Sequence, residues 1–201
     1  MTMTGIDRLI SISLSKTIKK KIEKDDLKNL ERTLFLKHGM SIKLSIEHFQ
    51  NFTKVLKSII NVNEKKFVNE CISGIIKVKK IDVGYKIRII EQDLIDLILQ
   101  VCGDSETRKI IGCVFSKDLT IPQILNECKV PKTSGYRKIE NLIINGFILE
   151  TGKVLSESKR ISKYRCVFDE IKIEMQNNNV VVQGVVNSKI FDKSTSIALI
   201  H

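Results

Sequence analysis

Residues 104–168 constrain the fold of this chain more than any other segment, because helical and strand patterns follow one another there at short intervals. Apolar residues first recur at spacings of three and four, which predicts three short helices. They then alternate with polar residues, which predicts the two arms of a β-hairpin. The predicted helices are residues 107–116, 121–128 and 133–145, and the predicted arms are residues 154–156 and 161–168.

Residues that favour caps and turns separate these helices. Thr120 is suited to cap the second helix, and Pro122 is tolerated in its first turn because the missing amide has no helical partner there. Pro131 disfavours helical geometry at Val130, which predicts a turn before the third helix. Gly146 is suited to end that third helix. Together these signals predict a helix-turn-helix.

The third helix is expected to present two chemically different faces. It is predicted to begin near Thr133 and Ser134, either of which can cap it. Its apolar positions are Tyr136, Ile139, Leu142 and Ile143. The opposite face carries Ser134, Arg137, Lys138 and Asn141. Arg and Asn form paired hydrogen bonds with guanine and adenine, while Ser, Thr and Lys hold phosphates, so this face predicts readout of bases in the major groove.

Gly135 departs from the helical pattern. A glycine inside a helix costs ~1 kcal/mol relative to alanine. Its presence predicts a close backbone approach there, either to the second helix or to DNA.

The order of helices and hairpin is typical of a winged helix-turn-helix. The stretch VPKTSGYRKIENLIINGFI, residues 130–148, resembles the recognition helix and the start of the wing in ArsR-like winged-helix transcription regulators, especially archaeal ones. The resemblance covers roughly a third of the chain. It implies a transcription regulator, commonly dimeric, that binds operator DNA. The metal-sensing Cys-x-Cys motif of that family is absent, so the sequence does not support an arsenic or zinc sensor.

The predicted DNA contacts come from the recognition helix, residues 133–145, and from a basic wing, residues 153–165. Arg137 and Asn141 are expected to read bases, and the wing to contact the backbone or the minor groove. The alternatives are a solvated helix face and a hairpin tip whose charges prevent edge pairing. The candidate residues are Lys132, Thr133, Ser134, Tyr136, Arg137, Lys138, Asn141, Lys159, Arg160 and Lys163, of which Lys132, Thr133, Ser134 and Lys138 are expected to hold phosphates.

The chain as a whole is predicted to be mainly helical with a small β content, an α+β fold in three parts. Residues 1–103 are predicted to form a helical module for dimerisation or signal input, which includes a short strand and a linker helix. Residues 104–168 form the winged helix-turn-helix. Residues 169–201 form a C-terminal extension whose β-hairpin could extend the wing sheet, cover a sheet edge or pair across a dimer.

Particular elements of the outer parts are also predicted. In the helical module, Ile10, Leu14, Ile18 and Ile22 mark the first helix, Gly39 caps the second, Ser45 opens the third and a fourth continues to Ile76. Alternation over residues 79–90 predicts one strand, and a linker helix resumes at Glu91. In the C-terminal part, strands over 171–176 and 180–182 flank a turn at 177–179.

Charge favours a polyanionic partner. The net charge is +11 and the isoelectric point is about 9.4. Residues 1–90 hold 19 basic and 9 acidic residues, and residues 129–165 hold 9 basic and 3 acidic ones. Clustered Lys and Arg release counterions from a phosphate backbone, which favours a polyanionic partner, although charge alone does not specify which polyanion.

Several other classes of protein are disfavoured. The phosphate-binding, dinucleotide-binding, zinc-protease and hydrolase motifs are absent, so no enzyme, cofactor or metal is expected. The five cysteines lie far apart, which favours buried thiols in a reducing cytoplasm, although Cys113 and Cys128 could approach each other across two helices. The N-terminus lacks the pattern of a secretory signal, and no segment is predicted to cross a membrane.

The sequence therefore predicts a cytoplasmic, homodimeric, DNA-binding transcription regulator. The main alternative is a winged-helix adaptor that binds other proteins in a transcription or assembly complex. RNA binding is less favoured, because the few aromatic residues form no stacking pattern.

Overall fold

The computed structural model describes residues 5–156 and 159–197, which form a mixed α/β fold of ten helices and two antiparallel sheets. The first elements are α1 (Gly5–Lys21), α2 (Lys24–His38), α3 (Ile42–Ile46), α4 (Phe49–Ile59), α5 (Glu64–Ser73), β1 (Ile76–Ile81) and β2 (Gly84–Ile89). The central elements are α6 (Gln92–Gly103), α7 (Ser105–Val114), β3 (Leu119–Thr120), α8 (Ile121–Cys128) and α9 (Lys132–Ile144). The remaining elements are β4 (Ile148–Ser156), β5 (Lys159–Cys166), β6 (Glu170–Gln176), β7 (Asn179–Val186) and α10 (Ser188–Phe191). The α+β expectation is confirmed at this level.

Two sheets join parts of the chain that are distant in sequence. The smaller sheet has the order β3-β5-β4. The larger sheet has the order β1-β2-β7-β6, so the C-terminal hairpin pairs with the N-terminal one along β2. Three uses of the C-terminal hairpin were left open by the sequence. The structure shows the second of them, since β7 covers the edge of the N-terminal hairpin at β2.

The helical module follows the predicted pattern over its first two helices. Ile10, Leu14 and Ile18 are buried on one face of α1. Gly39 ends α2 in the left-handed region, with φ at 63°, and its amide donates to carbonyls of the preceding turn. These two expectations are confirmed, because helical periodicity and a glycine cap are both local signals.

The next helices differ from the prediction. Ser45 does not open a helix; Ser41 caps α3, and the Ser45 hydroxyl donates to the carbonyl of Ile42 at 2.7 Å. The predicted fourth helix is also too long, since α5 ends at Ser73 and Ile76 begins β1. A buried serine inside a helix can satisfy its hydroxyl with a backbone carbonyl, so its presence alone does not mark a helix start.

The predicted single strand over residues 79–90 is wrong, because the chain folds there into the β1–β2 hairpin. Ile81 pairs with Gly84 across a two-residue turn, and Gly84 has φ at 149°. The reversal places Ile81 on the opposite face from Ile87, although both fit one alternating pattern. Alternation of apolar and polar residues continues through a tight turn and therefore does not reveal it. Gly84 was the local signal for the turn.

The segment 104–168 has the predicted order of elements with shifted bounds. Helix α7 begins at Ser105 rather than at Thr107, since Asp104 caps it. Thr120 caps α8 as predicted, through a reciprocal capping box with Gln123. Helix α9 begins at Lys132 rather than near Thr133, and its N-cap residue, Pro131, makes no side-chain capping bond.

Strand β4 is longer than expected, and β5 begins and ends two residues earlier than the predicted arm over 161–168. Strand β4 is continuous from Ile148 to Ser156, with a register shift between Glu150 and Gly152, whereas a separate arm over 154–156 was predicted. Strand β3, whose two residues pair with β5, was not predicted. A two-residue strand is defined by its hydrogen-bonded partner and leaves no period in the sequence.

Helix α1 connects the three parts of the chain. Gly146, with φ at 76°, lies against the backbone of Arg8 and Leu9, where a Cβ atom would collide. The guanidinium of Arg8 donates to the carbonyl of Ile143 at 3.2 Å and pairs with Glu47 at 3.1 Å. The end of α9 is therefore fixed against the N-terminal helices.

The buried carboxylate of Asp7 fixes the C-terminal segment to the same helix. It accepts hydrogen bonds from the hydroxyl groups of Ser194, Thr195 and Ser196. It also accepts from the amides of Thr195 and Ser196. No helix within residues 5–156 and 159–197 is both long enough and apolar enough to traverse a bilayer.

Candidate nucleic-acid interface

The position of α9 is set by close packing against α8. Ile139 and Leu142 are buried on the inner face of α9. Gly135 lies so close to α8 that a Cβ atom there would overlap the side chain of Leu125, and it would lie 3.3 Å from a methyl group of Val130. The prediction of a close backbone approach is confirmed for the second helix. The turn between α8 and α9 passes through Lys129 in the left-handed conformation, with φ at 51°.

The outer face of α9 carries both polar and apolar side chains. Arg137 and Asn141 are exposed there, as the sequence predicts. Tyr136, expected on the apolar side of the helix, is 49% exposed. The other exposed residues of α9 are Lys132, Thr133, Glu140 and Ile144.

Two of these exposed residues were missed by the sequence reasoning. Ile144 is 52% exposed, and Glu140 lies one helical turn from Arg137 and from Ile144. Their spacing from Arg137, at three and seven residues, was the available signal, since residues at these intervals share one face of a helix. The outer face therefore combines one acid and two large apolar groups with the predicted polar residues.

Lys138 lies at the edge of this face and is engaged by carboxylates. Its Nζ is 2.6 Å from Oδ1 of Asp104 and 3.5 Å from Oε2 of Glu106. The hydrogen bond to Lys138, followed by those from Thr107, lowers the pKa of Asp104, and the same Asp104 bond raises the pKa of Lys138. Lys138 thus joins α9 to the start of α7, and a phosphate would have to compete with these carboxylates for it.

Ser134 is also turned toward the protein. It is only partly exposed, and its hydroxyl donates to the carbonyl of Pro131 at 3.3 Å. Lys132 and Thr133, by contrast, are exposed in the first turn of α9. Free amides at a helix start favour anions, so this end of α9 is suited to phosphate.

An open cleft of about 500 Å³ lies between α6 and α9. Arg137 and Asn141 line one side of it, and Gln100 and Val101 of α6 line the other. Asn145 also lines the cleft. Guanidinium and amide groups that converge on an open groove can bind the edges of bases, whereas none of these groups is an activated nucleophile.

The β4–β5 hairpin places its basic residues at two levels. Lys159 and Arg160 are exposed at the described end of the hairpin, where they pair with Ser156 and Leu155. Lys163 is partly buried and lies opposite Thr120 on β3, about 13 Å further along the strand. Residues 157 and 158, which belong to the predicted wing over 153–165, lie outside the described residues.

The cysteines show no arrangement suited to catalysis. All five are free thiols; Cys71, Cys128 and Cys166 are buried, and Cys102 and Cys113 are partly buried. Burial raises the pKa of Cys71 to about 11 and that of Cys166 to about 12, which disfavours the reactive thiolate.

The predicted approach of Cys113 to Cys128 is confirmed, since the two residues line the same shallow cleft between α7 and α8, and burial followed by the proximity of Cys128 raises the pKa of the Cys113 thiol. Among the described residues, no three His, Cys, Asp or Glu side chains are grouped so as to hold a metal ion. The polar groups on α9 and the basic residues of the hairpin therefore form the candidate site.

Comparisons with known proteins identify no relative. No protein-family model, no curated protein and no solved structure matches this chain.

Proposed function

We propose that this protein is a sequence-specific DNA-binding transcription regulator with a winged helix-turn-helix of the ArsR-like type. Helix α9 would lie in the major groove, and the β4–β5 hairpin would form the wing. The observation that carries the proposal is the exposure of Arg137 and Asn141 on a helix held by α7 and α8 and followed by a basic hairpin.

The order and pairing of the elements support this assignment. Helices α7, α8 and α9 are followed by β4 and β5, and the short β3 joins the hairpin to give the order β3-β5-β4. A winged helix-turn-helix requires a recognition helix, here α9, that packs on the preceding helix, here α8, with a hairpin beside it. The packing of Gly135 on Leu125 supplies that brace.

The residues take separate parts in the proposed complex. Arg137 and Asn141 read base edges from the cleft beside α6, because both carry paired hydrogen-bonding groups. Lys132 and Thr133 hold phosphates at the start of α9, and Ser134 and Lys138 do so after leaving their partners within the protein. Tyr136 contacts the sugar-phosphate backbone. Lys159 and Arg160 bind the backbone or the minor groove, and Lys163 supports the base of the wing.

We propose that the regulator is a cytoplasmic homodimer that pairs through its helical N-terminal part. Phe35 and Leu36 of α2 are 69% and 70% exposed and adjacent in sequence. Exposed neighbouring apolar groups favour burial against a second subunit. Two-fold pairing would present two α9 helices to two half-sites of an operator.

A protein-interaction adaptor is the second candidate, and one observation favours it. Tyr136 and Ile144 are half exposed on the outer face of α9, beside the acidic Glu140. An apolar face with an acid is less suited to a phosphate-lined groove than to the surface of another protein. A duplex-binding assay distinguishes the two candidates.

The decisive experiment is selection from a pool of random duplexes at low and raised salt, followed by sequencing of the retained DNA. An enriched motif with two-fold symmetry would support a dimeric regulator and give its operator. Retention without a motif would contradict base readout by Arg137 and Asn141. Absence of retention at low salt would contradict DNA binding and leave the adaptor as the better explanation.

A further inference from the structure

The solvent face of the larger sheet carries a dense group of cations on its two N-terminal strands. On this face Lys77 lies opposite Arg88, and Lys79 lies opposite Lys86. All four side chains are exposed. Neighbouring strands are about 5 Å apart and alternate residues about 7 Å apart, so four positive charges arise from a small area of backbone. These four residues are named the basic sheet face.

The pairing within the basic sheet face is unfavourable for the protein alone. Like charges directly opposite each other on adjacent strands destabilise a sheet. Among the ion pairs formed by residues 5–156 and 159–197, none involves any of the four cations. The acids on the same face lie on β6, where Glu174 pairs with Lys172 at 2.7 Å. Glu174 also lies near enough to Lys86 for that charge to help lower the pKa of the Glu174 carboxyl, after the larger effect of Lys172. An external anion would therefore compete with Glu174 for Lys86, while Lys77, Lys79 and Arg88 form no ion pair among the described residues.

Protection of a sheet edge does not account for this arrangement. Lysines on an edge strand prevent pairing with other chains, which would explain Lys77 and Lys79 on β1. Strand β2 is an inner strand, since β1 and β7 flank it, so Lys86 and Arg88 guard no edge. On the opposite face of β2, Ile87 and Ile89 are buried in the core, whereas Lys86 and Arg88 are exposed to solvent.

The chemistry of the face indicates phosphates rather than bases as its ligands. Tyr85 belongs to the other face, where its ring stacks on Phe191 at 3.7 Å between centroids. The rows across the sheet continue from Arg88 to Gln183 and from Lys86 to Val185, which offer no aromatic ring. Single-stranded nucleic acid is held mainly by stacking on aromatic side chains, whereas a duplex presents its phosphates outward.

We propose that the basic sheet face is a second DNA-binding surface, which contacts the phosphate backbone of duplex DNA without reading its sequence. The choice of duplex DNA as the polyanion rests on the function proposed above, while the surface itself is separate from α9 and the wing. It adds about four phosphate contacts to those of the winged helix-turn-helix. Its contribution is the same on every sequence and decreases with salt.

The test compares two variants of the full chain that each lose four charges. The sheet variant carries Lys77→Gln, Lys79→Gln, Lys86→Gln and Arg88→Gln. The control variant carries Lys24→Gln, Lys37→Gln, Lys54→Gln and Lys66→Gln, which remove exposed helical lysines. Fluorescence anisotropy measures binding to two duplexes over a series of salt concentrations. One carries the sequence enriched in the selection from random duplexes, and the other carries the same bases in scrambled order.

The sheet variant is expected to bind both duplexes about ten- to a thousandfold more weakly. The slope of log K against log salt should become shallower by about 3 to 4, at roughly 0.9 per phosphate contact. The control variant should change both quantities much less. If the fourfold variant does not fold, the double variant Lys79→Gln/Lys86→Gln replaces it. About half of the change in the salt slope is then expected.

Other outcomes separate this proposal from the proposed function. Equal slopes of log K against log salt for the sheet and control variants would overturn the proposed second surface. If Arg137→Ala still altered sequence preference in that case, the proposed base readout by α9 would stand. A loss confined to the sheet variant, with Arg137→Ala unchanged, would support the second surface and contradict base readout by α9. Binding of the intact protein is also measured with phosphatidylserine vesicles. Absence of binding to duplex DNA, whether or not the vesicles are bound, would overturn both the second surface and the proposed function.

Discussion

The Nζ of Lys138 lies 2.6 Å from Oδ1 of Asp104, so the outer edge of α9 is joined by an ion pair to the residue that caps α7. The sequence suggests Lys138 as a phosphate ligand, and the structure gives it an internal partner instead. The two roles compete for one ammonium group. This competition gives Asp104 control over the charge available on α9.

Replacing Asp104 by Asn is expected to strengthen binding to every duplex. Asparagine caps a helix as well as aspartate does, so α7 should persist while Lys138 loses a charged partner. The slope of log K against log salt should steepen by up to about 1, measured by anisotropy. Glu23→Gln, which removes an exposed acid that makes no capping bond, is the matched control. An unchanged slope would mean that Lys138 does not reach phosphate.

Acid should weaken the link between Asp104 and Lys138. The hydrogen bond from Lys138 lowers the pKa of Asp104, so the stability that this carboxylate contributes is present above its unfolded pKa of about 4 and is lost as the pH falls further. The difference in unfolding free energy between the intact protein and Asp104→Asn should be constant from pH 7 to about 5 and narrow below about 4. Urea unfolding at a series of pH values measures it. A difference that grows in acid would contradict this sign.

Gly135→Ala is expected to destabilise the protein by about 1 kcal/mol, since the overlap with Leu125 exceeds the gain of ~1 kcal/mol in helix propensity. In a Leu125→Ala background the overlap is removed and the close contact with Val130 remains, so the same substitution should become stabilising by up to about 1 kcal/mol. A double-mutant cycle of urea unfolding measures this reversal of sign. If the two substitutions are additive, the Gly135–Leu125 contact does not set the position of α9.

Gly146→Ala is expected to cost about 2 to 4 kcal/mol, because a Cβ atom would meet the backbone of Leu9 and the φ of 76° disfavours alanine. Gly112 provides the matched comparison within α7, since it is exposed and has nothing within 4 Å of the added atom. Gly112→Ala should be stabilising by up to about 1 kcal/mol. Thermal and urea unfolding of the two variants test the contrast, and similar effects at both positions would contradict the close approach of α1 to α9.

Substitutions on the outer face of α9 should distinguish base readout from electrostatic attraction to the phosphates. Arg137→Ala is expected to relax sequence preference at one base pair of each half-site, with a loss of about 1 to 3 kcal/mol on the preferred duplex. Lys132→Ala should weaken all duplexes alike and reduce the salt slope by about 1. Glu140→Gln should strengthen all duplexes, because it removes the acid beside Arg137. Weaker or unchanged binding in Glu140→Gln would favour the adaptor.

Local signals predicted much of the segment that carries the site. The Thr120 cap, the turn before α9 and the stop at Gly146 all lie where the sequence indicates, because each depends on a few neighbouring residues. The exposure of Arg137 and Asn141 also follows from helical spacing alone. The close approach at Gly135 was predicted, but the structure was needed to identify Leu125 as its cause.

Contacts between distant residues were decided by the tertiary structure. The ion pairs of Lys138, the pairing of β3 with β5 and the union of β2 with β7 join segments whose partners have no mark in the local pattern. The same holds for the basic sheet face, since Lys77 and Lys79 meet Lys86 and Arg88 only once the β1–β2 turn fixes the register. By itself, the sequence determined the periods, caps and turns, because these depend on backbone preferences within a few residues. The tertiary structure decided which charges meet and which face solvent, because those depend on how distant elements pack.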